Sequence, residues 1–340
     1  LSAGAAETPL FESDEVFDVT LPVHFKDLCR PREDDNCEYL PTTLEYTNAD
    51  GQRRVIPIEI MVRGGWRSLT QNCSVPLLWI RFTGKDQEGT AFRDQSLLPL
   101  TTHCGQGLSL EARQNRAPKS SWEQYLLKEY LGQRLYKLFT GASLRSRLVR
   151  IHYPDPDKPR NVINNYAFFT EHFDTMAARN HAQRLERGSF DHELLDTGAA
   201  DMLALFQYMI GNTDWSILQQ DNIFLLRFPD GKQVPVLFDL DMSGLVNAHY
   251  AAPASELPIT SVKQRHFQGF CRPQTQWDAL VTKFSGLENG WLRILIDSPG
   301  MGRGDRRASA AFLLDFFDIL ASGDERQKRI VDTCTEFPGT

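Results

Sequence analysis

The stretch "GNTDWSILQQDNIFLL" (residues 211–226) places Asp214, Asp221 and Asn222 on a polar segment that turns abruptly into an apolar run. Within ten residues "VPVLFDLDMSG" (234–244) supplies two more aspartates, Asp239 and Asp241, again at the end of a strand-like run. The two runs, "NIFLLRF" (222–228) and "VPVLFDL" (234–240), are joined by "PDGK", which has the residues a tight turn needs. An antiparallel hairpin with arms of similar length brings its open ends together. Asn222 is therefore expected beside Asp239, with Asp214 within loop reach of both.

Carboxylate and amide oxygens converging on one point are the ligands that Mg²⁺ or Mn²⁺ prefers, and Mg²⁺ commonly combines one or two carboxylates with substrate phosphates. An aspartate outside the metal set is then available to orient or deprotonate a nucleophile. The alternative for each residue alone is structural. Asp and Asn are common turn formers, and "GNTD" after a helix also reads as a helix stop with an Asx-turn.

Outward from this centre, the 340 residues are enough for one large two-lobed domain or two domains. Hydrophobic residues at 41% and charged residues at 24% are ordinary globular values, which argues against extensive disorder. A net charge of -7 argues against a nucleic-acid partner, because phosphate binding needs a basic surplus or stripe. The basic cluster "RSRLVR" (145–150) reads as a solvated edge. No apolar run is long enough to cross a bilayer.

The opening "LSAGAAETP" is small and polar, like the surroundings of a signal-peptidase site, and points to export to the periplasm or the extracellular space. Six cysteines, an even number, suit an oxidising compartment, although buried thiols in a cytosolic chain are the alternative. Cys29 and Cys37 are close enough to close a small loop, while the remaining pairings stay open.

Residues 12 to 110 read as mostly β, with strands at 16–23, 42–48, 53–64 and 75–82. A helix follows at 121–139, capped by Ser120 or Ser121, with Leu127, Tyr130, Leu131, Leu135 and Leu138 at helical spacing. Strands are expected at 146–153 and 162–171, then helices at 172–187, 194–210 and most of 255–336. The expected division is a β-rich part over 1–170 and a mainly helical part over 171–340.

The arrangement resembles the protein-kinase-like fold, in its atypical branch of CotH-type spore-coat kinases and HipA-type kinases. The particular likeness is to an uncharacterised, often exported bacterial group, through "GNTDWS", "FDLDMSGLVNAHYAAP" (238–253), "VRGGWR" (62–67), the pair Cys73 and "THC" (102–104), and "KEYLGQRLYKLFTGASLRSRLVRIHY" (128–153). The likeness covers roughly residues 55–253. It implies an α+β, two-lobed kinase-like fold: a β-rich N-lobe with one main helix, and a helical C-lobe with a β-hairpin. It implies metal-dependent phosphoryl or nucleotidyl transfer from ATP or another nucleotide to a protein or small-molecule acceptor, in a cleft between lobes. Asp214 would be the catalytic residue, and Asn222, Asp239 and Asp241 would hold Mg²⁺ or Mn²⁺. Glu129 would pair with a phosphate-binding cation, and "YAFFTE", ending at Glu171, would hold the adenine. The structural alternatives are a solvated helix glutamate beside Lys128 and a plain sheet strand.

Three departures from that pattern favour an inactive, kinase-like binding or scaffold module as the alternative. No G-x-G-x-x-G loop is present, and "RGGWR" is the nearest substitute. Asn222 follows Asp214 by eight positions, against about five in ordinary kinases. Pro99 stands where the relatives tend to carry a lysine, leaving Lys85, Arg63, Arg67 or Arg81 to supply positive charge. Elsewhere, "SPGMGRGDRR" (298–307) lacks the following strand of a dinucleotide unit and reads as a connector. "HYPDPDKP" (152–159) reads as a solvated hairpin tip, with weak Ca²⁺ binding as its alternative.

Overall fold

The computed structural model describes residues 9–84, 86–107 and 119–337. The export-like opening, over residues 1–8, and Lys85 lie outside the described residues. The chain divides into two compact units, one of residues 1–126 and 145–172, the other of residues 127–144 and 173–340.

In the first unit, β1 (Phe17–Thr20), β2 (Leu40–Thr47), β3 (Arg53–Val62), β4 (Leu78–Phe82), β5 (Leu97–Thr101), β6 (Ser146–Pro154) and β7 (Val162–Thr170) form one sheet. Its order is β1-β2-β3-β4-β5-β7-β6, and it closes on itself. Strand β3 shows the alternation that makes this possible. Ile56, Ile58, Ile60 and Val62 are buried, while Val55, Pro57 and Glu59 between them face solvent. The inward set joins Val19, Leu44, Ile80, Leu98, Val149, Ile151 and Phe169 in one core. Phe92, from the β4–β5 connection, fills it, with ring centroids 5.4 Å from Tyr46 and 5.4 Å from Phe169.

This closure overturns the two-lobed kinase-like architecture expected from the sequence. The seven strands form a closed mixed barrel, because β1 pairs in parallel with β6 from Phe17↔Val149 to Thr20↔His152. Closure satisfies the backbone groups that an open edge would leave unpaired. Arg147, read as part of a solvated basic edge, is instead buried and donates to the carbonyls of Leu10 (3.0 Å) and Ser13 (2.6 Å).

Helix α1 (Lys119–Tyr136) begins earlier than expected, so positions 120 and 121 lie within its first turn and not ahead of it. The division between the units falls inside this helix, after residue 126. The second unit contains α2 (Phe173–Arg179), β8 (Gln183–Arg184), α3 (Thr197–Ile210), β9 (Ile223–Arg227) and β10 (Gln233–Leu237), followed by α4 (Gln274–Ser285), α5 (Glu288–Ile296), α6 (Arg303–Ala321) and α7 (Gly323–Arg329). The helix expected over 172–187 stops at Arg179. His181 takes a positive φ of 54°, and the chain turns into β8, which pairs with β9. The first part of 255–336 is irregular, and helix resumes only at Gln274.

The hairpin forms as read, from Ile223↔Leu237 to Arg227↔Gln233, and Phe228 N–H donates to Lys232 O (2.9 Å) across its turn. Pro235 is tolerated because β10 is an edge strand. Helix α3 is buried along most of its length and starts with Asp196, whose side chain accepts from Ala199 N–H at 2.9 Å.

Disulfides join Cys29–Cys37, Cys73–Cys104 and Cys271–Cys334, with Cα separations of 5.3, 4.8 and 4.9 Å. Three disulfides are compatible with an exported protein. Among the described residues, no helix is long and apolar enough to cross a membrane.

Candidate functional site

Helix α3 ends at Gly211, whose left-handed φ of 63° lets the chain leave sharply into the Asp214 loop. Glycine is also required there for space. A Cβ at Gly211 would lie 3.0 Å from Val262 O, and one at Gly244 would lie only 2.3 Å from the same atom. With both positions bare, the segment after β10 is zipped onto the end of α3. Gly244 N–H donates to Gly211 O (3.0 Å) and Leu245 N–H to Ile210 O (2.9 Å). This backbone clasp carries Asp239 and Asp241 to the loop that bears Asp214.

The Asp214 loop has its own brace. Asn212, fully buried, donates from its amide to Gln207 Oε1 (3.0 Å) and accepts from Asp214 N–H (3.1 Å). Further on, Ser216 and Asp221 exchange two backbone hydrogen bonds of 3.0 Å, closing the loop before β9. Gln207 and Asn212 were not among the residues singled out from the sequence. The signal available was an amide on an otherwise apolar helix, five positions before a second amide.

Asn222 takes a positive φ of 50° and directs its side chain back to Asp214. Its Nδ2 donates to Asp214 Oδ2 at 2.9 Å and to Asp214 O at 2.7 Å. A carboxylate only accepts, so the amide orientation is fixed and Oδ1 is the atom turned toward any cation. Asn222 O in turn accepts from Phe238 N–H (3.2 Å), which sets the next residue, Asp239, at the hairpin's open end. Asp239 also has a positive φ, of 45°. Two non-glycine left-handed residues facing one point are a local strain of the kind that functional sites retain.

Asp214 is exposed overall, yet its carboxyl is crowded. Desolvation raises its pKa above the usual aspartate value, the nearby Asp239 carboxylate raises it further, and the Asn222 hydrogen bond pulls it partly back. Asp241 is buried, and Oδ2 accepts from the Tyr250 hydroxyl at 3.1 Å. The structure thus brings Asp214, Asn222 and Asp239 together and puts Asp241 on the same short segment.

Glu129 sits on α1 and is buried, at 6% exposure, so it is not a solvated helix residue. It shares a helix face with Gly132, three residues on, where an added Cβ would lie 2.7 Å from Leu240 Cδ1. Leu240 lies between the two aspartates. Neighbouring Lys128 is paired with Asp305 at 2.7 Å. Glu171 belongs to the barrel unit, immediately after β7. It is buried, its backbone N–H donates to Arg145 O (2.8 Å), and Oε2 accepts from Arg145 N–H (3.3 Å). "YAFFTE" is thus a barrel strand and its end. Of the cations considered for phosphate, Arg81 donates to Glu59 (2.6 Å) and lies over the Tyr39 ring, Arg63 lies over Trp79, and Arg67 is buried.

For a divalent cation, Asn222 Oδ1, Asp239 and Asp241 could offer oxygen ligands only, the donor chemistry that suits Mg²⁺ or Mn²⁺. The carboxylate of Asp241 is buried and accepts from the Tyr250 hydroxyl. The three aspartates 214, 239 and 241 do not form a tight trio of their own. Among the described residues, His24, Asp155 and Asp157 do, with ligand atoms within 4.8 Å of one another. There both ring nitrogens of His24 face carboxylates at 3.4 Å, so the ring bridges the β6–β7 turn as an ion pair would.

Asp214 also lines a cavity of about 360 Å³ within the second unit. Its walls come from α3, from the 213–221 loop with Trp215, from residues 254–257 and from residues 266–270. Cys271–Cys334 anchors the last wall, where Thr335 N–H donates to Gly269 O (2.9 Å) and Cys271 N–H to Thr335 O (2.9 Å). No protein-family model matches the chain, and no curated protein matches it.

Proposed function

We propose that the chain transfers a phosphoryl group, or another part of a nucleotide, from ATP or a related donor to a hydroxyl-bearing acceptor, with Mg²⁺ or Mn²⁺ as cofactor. The observation that carries this reading is the 2.9 Å bond from Asn222 to Asp214 beside Asp239, with Asn222 and Asp239 both held at positive φ. The reading rests on these side chains and not on a kinase-like architecture.

Asn222 Oδ1, Asp239 and Asp241 would hold the cation, which when bound offsets negative charge on the donor's phosphates. Asn222 fixes the Asp214 carboxylate, leaving Asp214 Oδ1 to accept the acceptor's hydroxyl proton. The acceptor oxygen then forms the new P–O bond. The bond to the leaving oxygen breaks, and its electron pair departs on the nucleotide product. The raised pKa of Asp214 makes it a stronger base than a free aspartate, which suits that role. The three disulfides are compatible with export, and an exported chain would act in the periplasm or extracellular space, where the donor would be ATP supplied by a host or another phosphorylated compound.

The test is a thermal-shift titration of the purified chain with ATP and GTP, with and without Mg²⁺ or Mn²⁺. Saturation at about a hundred times Kd stabilises by about 2.7 kcal/mol, a shift that is easily read. A metal-dependent shift that vanishes in Asp239→Ala supports the reading, and no shift at millimolar nucleotide refutes it.

One observation favours a second reading, a binding module without catalysis. Pro99, standing where the resemblance expects a phosphate-binding lysine, is buried in β5 and paired with Trp79 on β4. Without such a cation electrostatic stabilisation of the transferred group falls. Metal-dependent nucleotide binding with no turnover on any hydroxyl acceptor would select this reading.

A further inference from the structure

The 360 Å³ cavity beside Asp214 has a lining of unusual charge. Asp214, Asp221 and Glu256 contribute carboxylates, and among the described residues that line it none is a lysine or arginine. Arg187 ion-pairs with Asp221 from outside and offsets one of the three charges. His266 adds no positive charge near neutrality, because burial lowers its pKa. The rest of the wall mixes apolar and aromatic side chains, Trp215, Leu257, Phe267 and Phe270 among them, with neutral polar ones such as Ser216, Gln219 and Gln268. The volume lies at the small end of small-molecule pockets, about 300–1,000 Å³.

We propose that this cavity receives the acceptor, and that the acceptor is a small amphipathic alcohol or phenol carrying an amine. The proposal rests on the reading of Asp214 as the base. An acceptor seated here has its apolar body on the aromatic wall and its hydroxyl at Asp214, while its ammonium group neutralises the acidic rim. An anionic acceptor of the same shape meets the carboxylates of Asp214 and Glu256 with no lysine or arginine in the described lining to offset them, and like charges repel. The charge pattern therefore selects among acceptors before any chemistry takes place.

The experiment is a calorimetric titration of the full chain, without nucleotide or divalent cation, using three probes that share a phenol and differ in charge. These are tyramine (an amine), tyrosol (uncharged) and para-hydroxyphenylacetate (an anion). Tyramine is expected to bind tighter than para-hydroxyphenylacetate by about tenfold or more, with tyrosol between them. Glu256→Lys and Leu218→Lys, both at exposed positions lining the cavity, are each expected to abolish that preference while leaving the unfolding transition in place. Equal or tighter binding of the anion, an unchanged preference in both variants, or no tyramine binding at millimolar concentration would overturn the proposal. Because the probes are read without nucleotide, amine selectivity with no metal-dependent nucleotide shift would leave the cavity standing as an amine-binding site and remove the transfer reading, and with it the acceptor role. The opposite pair of results would do the reverse.

Discussion

Asn222 reaches back eight residues to hold Asp214 twice, at the side-chain oxygen (2.9 Å) and at the backbone carbonyl (2.7 Å). One amide thereby ties the first strand of the hairpin to the loop after α3 and sets which oxygen of Asp214 is turned outward. The tie is made by a residue in a left-handed conformation, which asparagine tolerates better than most. Asn222→Ala loses both hydrogen bonds and keeps the strain, so a loss of about 2–3 kcal/mol is expected from urea unfolding. Asn222→Gly loses the bonds but relieves the strain, and should be about 1 kcal/mol less damaging. Equal losses in the two variants would show that the φ of this residue carries no cost.

Asp214 titrates higher in the folded chain than in the unfolded one, because desolvation and the neighbouring Asp239 carboxylate both favour its protonated form. The native state therefore holds this proton more tightly. Its contribution to stability is present below the unfolded aspartate value of about 3.9, and is lost as pH rises through the raised folded value. Asp214→Asn removes that penalty. Its unfolding midpoint at neutral pH should rise, by less than about 1 kcal/mol because the residue is exposed and solvent screens it. Transfer to any acceptor should fall by about a hundredfold or more in the same variant. Greater stability with lost turnover separates a base from a structural carboxylate.

Asp241 is capped by the Tyr250 hydroxyl at 3.1 Å, on the oxygen that a cation would compete for. Tyr250→Phe should weaken the fold by about 1 kcal/mol, the net value of an ordinary hydrogen bond. It should also tighten Mn²⁺ binding by up to about fivefold, since the cation no longer displaces a donor. Calorimetry with Mn²⁺ alone reads this directly. Weaker Mn²⁺ binding in the variant would instead make the tyrosine a support for the ligand set.

The hairpin was legible in the sequence because its signals are local: two apolar runs, a "PDGK" turn and polar residues at the open end. The approach of Asn222 and Asp239 follows from that hairpin, with Asp214 within loop reach of both. Closure of the barrel was not legible, since β1 and β6 pair in parallel across some 130 residues with no turn between them to announce it. Strand β5 was hidden for a different reason, as Pro99 sits at its centre. It is accommodated because β7 pairs only with Leu100 and Thr101, so no hydrogen bond is asked of the proline nitrogen on that side. The clasp between Gly211 and Gly244 depends on Val262 O, a backbone atom whose position no motif encodes.

That clasp can be tested against a softer contact. In Gly244→Ala the new methyl meets Val262 O at 2.3 Å, a backbone atom that cannot swing aside, and a loss of about 3 kcal/mol or more is expected. In Gly132→Ala the methyl meets only the end of the Leu240 side chain, and alanine favours the helix by about 1 kcal/mol. Gly132→Ala should therefore be nearly neutral in stability, yet weaken Mn²⁺ binding by shifting Leu240 between Asp239 and Asp241. A large stability loss at Gly132 would mean that Leu240 has no room to repack.

The disulfides should differ in value because they close loops of different length. Cys271–Cys334 has a sequence separation of 63 residues and Cys29–Cys37 one of 8. Loop-closure entropy puts the first at about 4 kcal/mol and the second at about 2.5 kcal/mol. Replacing Cys271 and Cys334 together by serine should thus lower the unfolding midpoint more than replacing Cys29 and Cys37. The location of the effect is the sharper test. Hydrogen exchange should accelerate in residues 266–270 and around Thr335, which form one wall of the cavity, and tyramine affinity should fall with it. Loss of the Cys29–Cys37 bridge, in the barrel unit, should leave both unchanged. Equal effects on tyramine from the two replacements would show that the Cys271–Cys334 bridge has no particular hold on the wall beside Asp214.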